Sequence, residues 1–188
     1  MKKTATLTIL ILLLFAIPVL AGTTAGDKEI QLQGSFTNTS NNQNDTTTDT
    51  LSAQVGFNYF FTSNISIGGL WRGSGSVRDD GDGNETTTTT NFLLVRADLY
   101  LGNAASKVMP YVGGQAGQAS YTRDDGDEET SSSSGAYGFH GGLKIFPSER
   151  ISWNIELDST TYTFESEATD DEYKSYNNSL FVGFSYYF

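Results

Sequence analysis

The chain's single histidine, His140, stands in Phe139-His140-Gly141-Gly142. An imidazole joined to a carboxylate and a serine is the machinery of nucleophilic acyl transfer. Glu156 and Asp158 are spaced i, i+2, which in an extended chain puts both carboxyls on one face, an arrangement open to acid–base chemistry. A second chemistry competes with both, because buried carboxylates need bases. Arg72, Arg96 and Lys144 lie in the same kind of alternating segment as Glu29, Asp98, Glu156 and Asp158. The residues therefore point to a set of interior ion pairs, with Gln31, Gln33, Gln54, Asn58, Gln115 and His140 filling between them, and no catalytic residue is assigned. Asp80-Gly81-Asp82-Gly83-Asn84 alternates oxygen ligands as a calcium loop begins, but Glu85 stands at the sixth place and Asn91 at the twelfth, where that loop needs Gly and Glu. No metal site and no cofactor are assigned. The absence of Cys excludes thiol nucleophiles and thiolate metal sites. Eleven Lys plus Arg against 22 Asp plus Glu, a net charge of −11, argue against nucleic acid as a main partner.

The elements that carry these groups follow from period-two alternation. Leu51, Ala53, Val55, Phe57, Tyr59 and Phe61 alternate with Ser52, Gln54, Gly56, Asn58 and Phe60, the pattern of a strand with one apolar and one mainly small polar face. Leu93, Val95, Ala97, Leu99 and Leu101 repeat it opposite Arg96 and Asp98. Ile151, Trp153, Ile155 and Leu157 repeat it opposite Asn154, Glu156 and Asp158, and Leu180, Val182, Phe184, Tyr186 and Phe188 opposite Ser179, Gly183 and Ser185. Weaker versions cover 30–36, 65–71, 108–116 and 137–145. Eight strands result, with the phase of the fifth left open by Tyr111-Val112-Gly113-Gly114-Gln115. Long polar connections at about 38–50, 78–91, 123–135 and 165–175 alternate with short ones near 62–64, 102–107 and 147–150, so an antiparallel meander gathers every long connection at one end. Two of the long ones echo each other: Arg78-Asp79-Asp80-Gly81-Asp82 before a Thr run, and Arg123-Asp124-Asp125-Gly126-Asp127 before a Ser run. Hairpin duplication and convergent drift of simple loops both fit that echo.

Charge is sorted in the same way. The four long connections hold 16 of the 22 acids and three bases, Arg78, Arg123 and Lys174, whereas the rest of the chain after residue 21 holds six of each sign. A neutral body suits a low-dielectric layer, where a charge facing lipid at the midplane costs ~2–4 kcal/mol. Residues 1–21 carry Lys2 and Lys3, an apolar run over 7–20 and Val19-Leu20-Ala21 before Gly22, the layout of a cleaved secretory signal peptide. Residues 22–188 then form one domain. Aromatic residues collect beside the short turns and the C-terminus: Tyr59, Phe60, Phe61, Tyr100, Tyr111, Phe146, Trp153, Tyr186, Tyr187 and Phe188. Those that face outward are expected to form an interfacial girdle.

The terminal strand, with Val182, Phe184, Tyr186 and a final Phe188, resembles the assembly signal of bacterial outer-membrane barrels. With the signal peptide, eight strands and alternating connections, the chain resembles the small outer-membrane barrels of the OmpA N-terminal-domain and OmpX type. The resemblance implies an all-β fold, an eight-stranded antiparallel transmembrane barrel of up-and-down topology, in the bacterial outer membrane. It implies outer-membrane lipid, lipopolysaccharide and the barrel assembly machinery as partners, a monomeric state, and possible adhesion or host-interaction roles. The outer-membrane lipid A deacylases carry a His-x-Ser pattern that Gly142 breaks here, so an enzyme is not expected. An eight-stranded barrel has room inside only for its own side chains. A plugged lumen and acidic surface loops are thus the first functional expectation. The alternative is a narrow porin-like channel gated by Arg72, Arg96, Asp98 and Glu156.

Overall fold

The computed structural model describes residues 23–41, 46–79, 85–102, 106–124, 129–165 and 172–188. The segment read as a signal peptide and Asp80-Gly81-Asp82-Gly83-Asn84 lie outside them. Eight strands follow in order: β1 (Lys28–Asn41), β2 (Thr46–Thr62), β3 (Ile65–Asp79), β4 (Glu85–Tyr100), β5 (Val108–Asp124), β6 (Glu129–Ser148), β7 (Ile151–Glu165) and β8 (Glu172–Tyr187). Each pairs antiparallel with the next, and β1 pairs with β8 to close the barrel. The seam runs from Glu29↔Tyr187 to Gly34↔Val182. Gly183 is required there, because a Cβ at that position would lie 2.0 Å from the Leu32 carbonyl oxygen and 2.6 Å from Gln33 Cα. The start of β1 and the end of β8 share one end with the short turns at 63–64 and 149–150 and with residues 101–102.

The alternation in the sequence becomes two surfaces of opposite chemistry. Outward positions carry Ile30, Leu51, Val55, Trp71, Leu93, Val95, Trp153, Leu157 and Val182, all substantially exposed, while the interior buries Glu29, Gln31, Gln54, Arg72, Arg96, Lys144, Asn154 and Glu156. A water-soluble barrel has the reverse arrangement. From Leu93 on β4 to Leu101 just past its end, the outward apolar run spans roughly 26 Å along the chain, or about 20 Å along the axis at a tilt of ~40°. That approaches the apolar band of a transmembrane barrel. No helix among the described residues is long and apolar enough to cross a membrane.

One expectation changes. The long connections are shorter than the polarity of 38–50, 78–91, 123–135 and 165–175 implies, since ladder pairing continues to Asn41↔Thr46, Asp79↔Glu85, Asp124↔Glu129 and Glu165↔Glu172. Thr and Ser read as loop by polarity, but Thr is β-branched, and paired hydroxyls support a ladder, as at Ser52 Oγ to Ser74 Oγ (2.9 Å) and between Thr122 Oγ1 and Ser131 Oγ (3.2 Å). The aromatic collection divides by face. Tyr59, Phe61, Trp153, Tyr186 and Phe188 face outward as a girdle, whereas Phe60, Tyr100, Tyr111, Phe146 and Tyr187 turn inward with Met109 and pack as one buried cluster. The fifth strand's phase is resolved by the same cluster, with Met109, Tyr111 and Gln115 inside and Val112 outside.

Candidate functional site: the lumen

From the turn end upward, the interior is layered. The first layer is aromatic, with ring centroids 5.1 Å apart for Phe60–Tyr100, 5.5 Å for Tyr100–Tyr111 and 5.4 Å for Phe146–Tyr187. Against it rests the Lys144 ammonium, 5.5–5.7 Å from the ring centres of Tyr100, Tyr111 and Tyr187 and bonded to Glu29 Oε1. The three electron-rich faces and one carboxylate replace the water that a buried ammonium loses. Asn58 Nδ2 (3.1 Å) and the Tyr187 hydroxyl (3.3 Å) also donate to Glu29.

The second layer is built around Arg96. Its Nη2 donates to Glu156 Oε2 at 2.9 Å and to Asp98 Oδ1 at 3.2 Å, so one guanidinium is shared by acids from β4 and β7. Tyr111 Oη (2.7 Å) and Gln54 Nε2 (3.0 Å) complete Glu156. Asp98 additionally accepts from Ser66 Oγ (3.3 Å) and bonds His140 Nε2 at 2.5 Å. That last contact crosses a whole strand, since Asp98 on β4 and His140 on β6 are both registered against Gly113 on β5. A Cβ on Gly113 would lie 2.2 Å from His140 Nε2 and 2.5 Å from Asp98 Oδ1, so only glycine lets the two side chains meet.

Arg72 organises the third layer. Its Nη1 and Nη2 each donate to an Asp158 carboxylate oxygen at 2.7 Å, a bidentate pair, and its Nε donates to Gln54 Oε1 at 2.9 Å. The guanidinium lies between the rings of Phe181 (4.8 Å) and Phe92 (5.6 Å). Gln115 and Thr160 supply further bonds to Asp158 at 2.6 and 2.7 Å. Gln54 links this layer to the one below by accepting from Arg72 and donating to Glu156. Phe92, Ala119, Ala136 and Tyr162 form an apolar roof on its loop side, with Leu70 and Leu94 of the same cluster packed beside it toward the turn end.

All eight charged or histidine residues singled out from the sequence, Glu29, Arg72, Arg96, Asp98, His140, Lys144, Glu156 and Asp158, are buried in this interior. The structure brings them together in three groups rather than one: Lys144 with Glu29; Arg96 and His140 with Asp98 and Glu156; and Arg72 with Asp158. Arg72 therefore reaches the Arg96 group through Gln54. His140 and Asp98 form the base–carboxylate half of a hydrolytic triad, and among the described residues His140 Nδ1 has no hydrogen-bond partner. Glu156 and Asp158 share a face as their spacing requires, yet each is bound to an arginine. Tyr111, on the strand whose phase the sequence left open, is the further member of the site; its four-residue spacing from Gln115 carried the inward phase. Val182, Phe184, Tyr186 and Phe188 share the outer face of the closing strand and its end.

Comparison with known proteins agrees with this geometry. The outer membrane protein beta-barrel domain family matches residues 7–188. Among solved structures, Neisserial surface protein A superposes with a TM-score of 0.63 at 11% identity, over 86% of this chain and 98% of that one. The N-terminal β-barrel domain of Pseudomonas aeruginosa OprF gives 0.54 at 17% identity over 87% and 98%, and Ail of Yersinia pestis gives 0.52 at 11% over 88% and 100%. At these identities the likeness is one of fold. No curated protein matches the sequence.

Proposed function

The chain belongs to the outer membrane protein beta-barrel domain family, and from that premise we propose that it is a sealed, non-enzymatic barrel whose work is done at its loop end. The observation that carries this reading is the unbroken stack of buried side chains across the lumen, aromatic, then ionic, then apolar. Moving an ion through it requires displacing paired charges from a water-poor interior, which costs several kcal/mol per charge. The protein is exported by its signal peptide and inserted by the barrel assembly machinery, which reads Val182, Phe184, Tyr186 and Phe188. It resides as a monomer among outer-membrane lipid and lipopolysaccharide. Its acidic hairpin ends face the exterior and give it a structural or surface-interaction role.

One observation favours the channel alternative. Arg96 is shared between Asp98 and Glu156, and a base with two acidic partners can exchange them without being left unpaired. Planar-bilayer conductance of protein shown to be folded separates the two readings. Silence is expected from a sealed barrel. Reproducible current steps that change in Arg96→Gln or Glu156→Gln would overturn that reading and make the lumen the functional site.

A further inference from the structure

Above the apolar roof the interior opens again. Here β2–β5 surround a cavity of ≈ 570 Å³ lined by Arg78 on β3 and Arg123 on β5, by the hydroxyls of Ser76, Thr86 and Thr88, and by Tyr121. The two arginines are the leading residues of the echoed Arg-Asp-Asp-Gly-Asp segments. Register places Arg78 opposite Thr86 and Arg123 opposite Thr88, so they enter the cavity from either side of β4, two strand spacings or roughly 10 Å apart. Neither guanidinium is held in an ion pair among the described residues. Arg78 and Arg123 are exposed at the open mouth, and the acids follow the other phase: Asp49, Asp79, Glu85 and Asp124, also exposed, stand at positions that alternate with the cavity-lining ones. In these extensions, therefore, strand alternation sorts charge by sign, with bases into the mouth and acids onto its outer wall.

We infer that this mouth binds a small phosphorylated sugar from solution. Guanidinium groups offer planar pairs of donors that match the oxygens of a phosphate ester. Ser and Thr hydroxyls both donate and accept, as sugar hydroxyls require, and the Tyr121 ring offers a flat apolar face. Two arginines roughly 10 Å apart on long side chains can grip one phosphate each of a bisphosphate or converge on a single one. The groups point into the closed side of the ladder, away from the outer surface where lipid packs, so the ligand's source is soluble rather than a lipid headgroup. The inference is independent of whether the lumen conducts, because the cavity lies above the roof.

Calorimetric titration of the folded full chain in detergent micelles tests it, with glucose 1,6-bisphosphate as probe and unphosphorylated glucose as comparison. Bisphosphate is expected to bind, glucose not to, and Arg78→Gln combined with Arg123→Gln to weaken binding about tenfold or more, the loss of charge-assisted contacts. Lys174→Gln removes the same charge from an exposed position elsewhere on the loop end and should leave affinity unchanged. The wild-type protein offers a readout that needs no variant: the arginine side-chain NMR signals of Arg78 and Arg123 should shift on titration, and that of Arg150, at the turn end, should not. An absence of binding by folded wild-type protein, as when loop carboxylates fill the mouth, would overturn the inference. Equal affinity in the double variant, or an equal loss in Lys174→Gln, would do the same.

Discussion

Arg96 shows how much one interior side chain holds. It satisfies Asp98 and Glu156 together, and truncating it leaves two carboxylates buried with too little opposite charge. Arg96→Ala is expected to destabilise the barrel by ~3–5 kcal/mol, as breaking a buried pair does. Adding Asp98→Ala should recover part of that loss, because an uncompensated acid is removed along with its base. Denaturant unfolding of the single and double variants measures the coupling; strictly additive losses would mean that the pair does not act as a unit. Gly113 provides a steric counterpart. Gly113→Ala must push His140 away from Asp98 and is expected to cost about 1–3 kcal/mol, as overpacking does, whereas Gly75→Ala, with nothing within 4 Å of the added methyl, should cost little. Equal unfolding midpoints for the two alanine variants would contradict the crowded contact over β5.

Strands are where these residues acquire a direction. Val95 lies mid-strand on the outer face of β4, flanked by Arg96 and Leu94 on the inner one. Val95→Lys should therefore destabilise the folded protein in bilayers by ~2–4 kcal/mol, the cost of a charge facing lipid near the midplane. The same change at Glu85, the first residue of the polar extension of β4, should be nearly neutral. Similar refolding free energies for the two variants would mean that the apolar face of β4 does not meet lipid. The closing strand β8 carries a second consequence. It seals the barrel through only the stretch from Glu29↔Tyr187 to Gly34↔Val182, and its outer face ends with Tyr186 stacked against Phe188 at 6.2 Å. Deletion of Phe188 is expected to lower outer-membrane assembly while export continues, measured by fractionating cells; normal assembly would show that the terminal aromatic is not read.

At the scale of the whole molecule, closure is the property that matters, because a closed ladder leaves no unpaired edge in lipid. A closed barrel resists detergent until heated, so unboiled protein should migrate faster than boiled protein on a detergent gel, and identical migration would count against closure. The strand count, the antiparallel order, the end that collects the long connections and the outward phase of Leu51 to Phe61 were all legible in the residues. Each is written in local periodicity, which a single strand's geometry imposes. The identity of the interior charges was legible too, for a buried charge in lipid has nowhere else to go. Their partners were not. Lys144 meeting Glu29 spans 115 residues of separation, and Arg72 meeting Asp158 spans 86, distances over which alternation carries no information. Nor did polarity tell ladder from loop in the Thr and Ser runs, or fix the phase of the fifth strand at Tyr111, whose neighbours Pro110 and Val112 are apolar on both sides. The sequence by itself determined which residues share a face; only the tertiary structure decided which faces meet across the lumen, because barrel closure and register bring distant strands together and local periodicity cannot encode either.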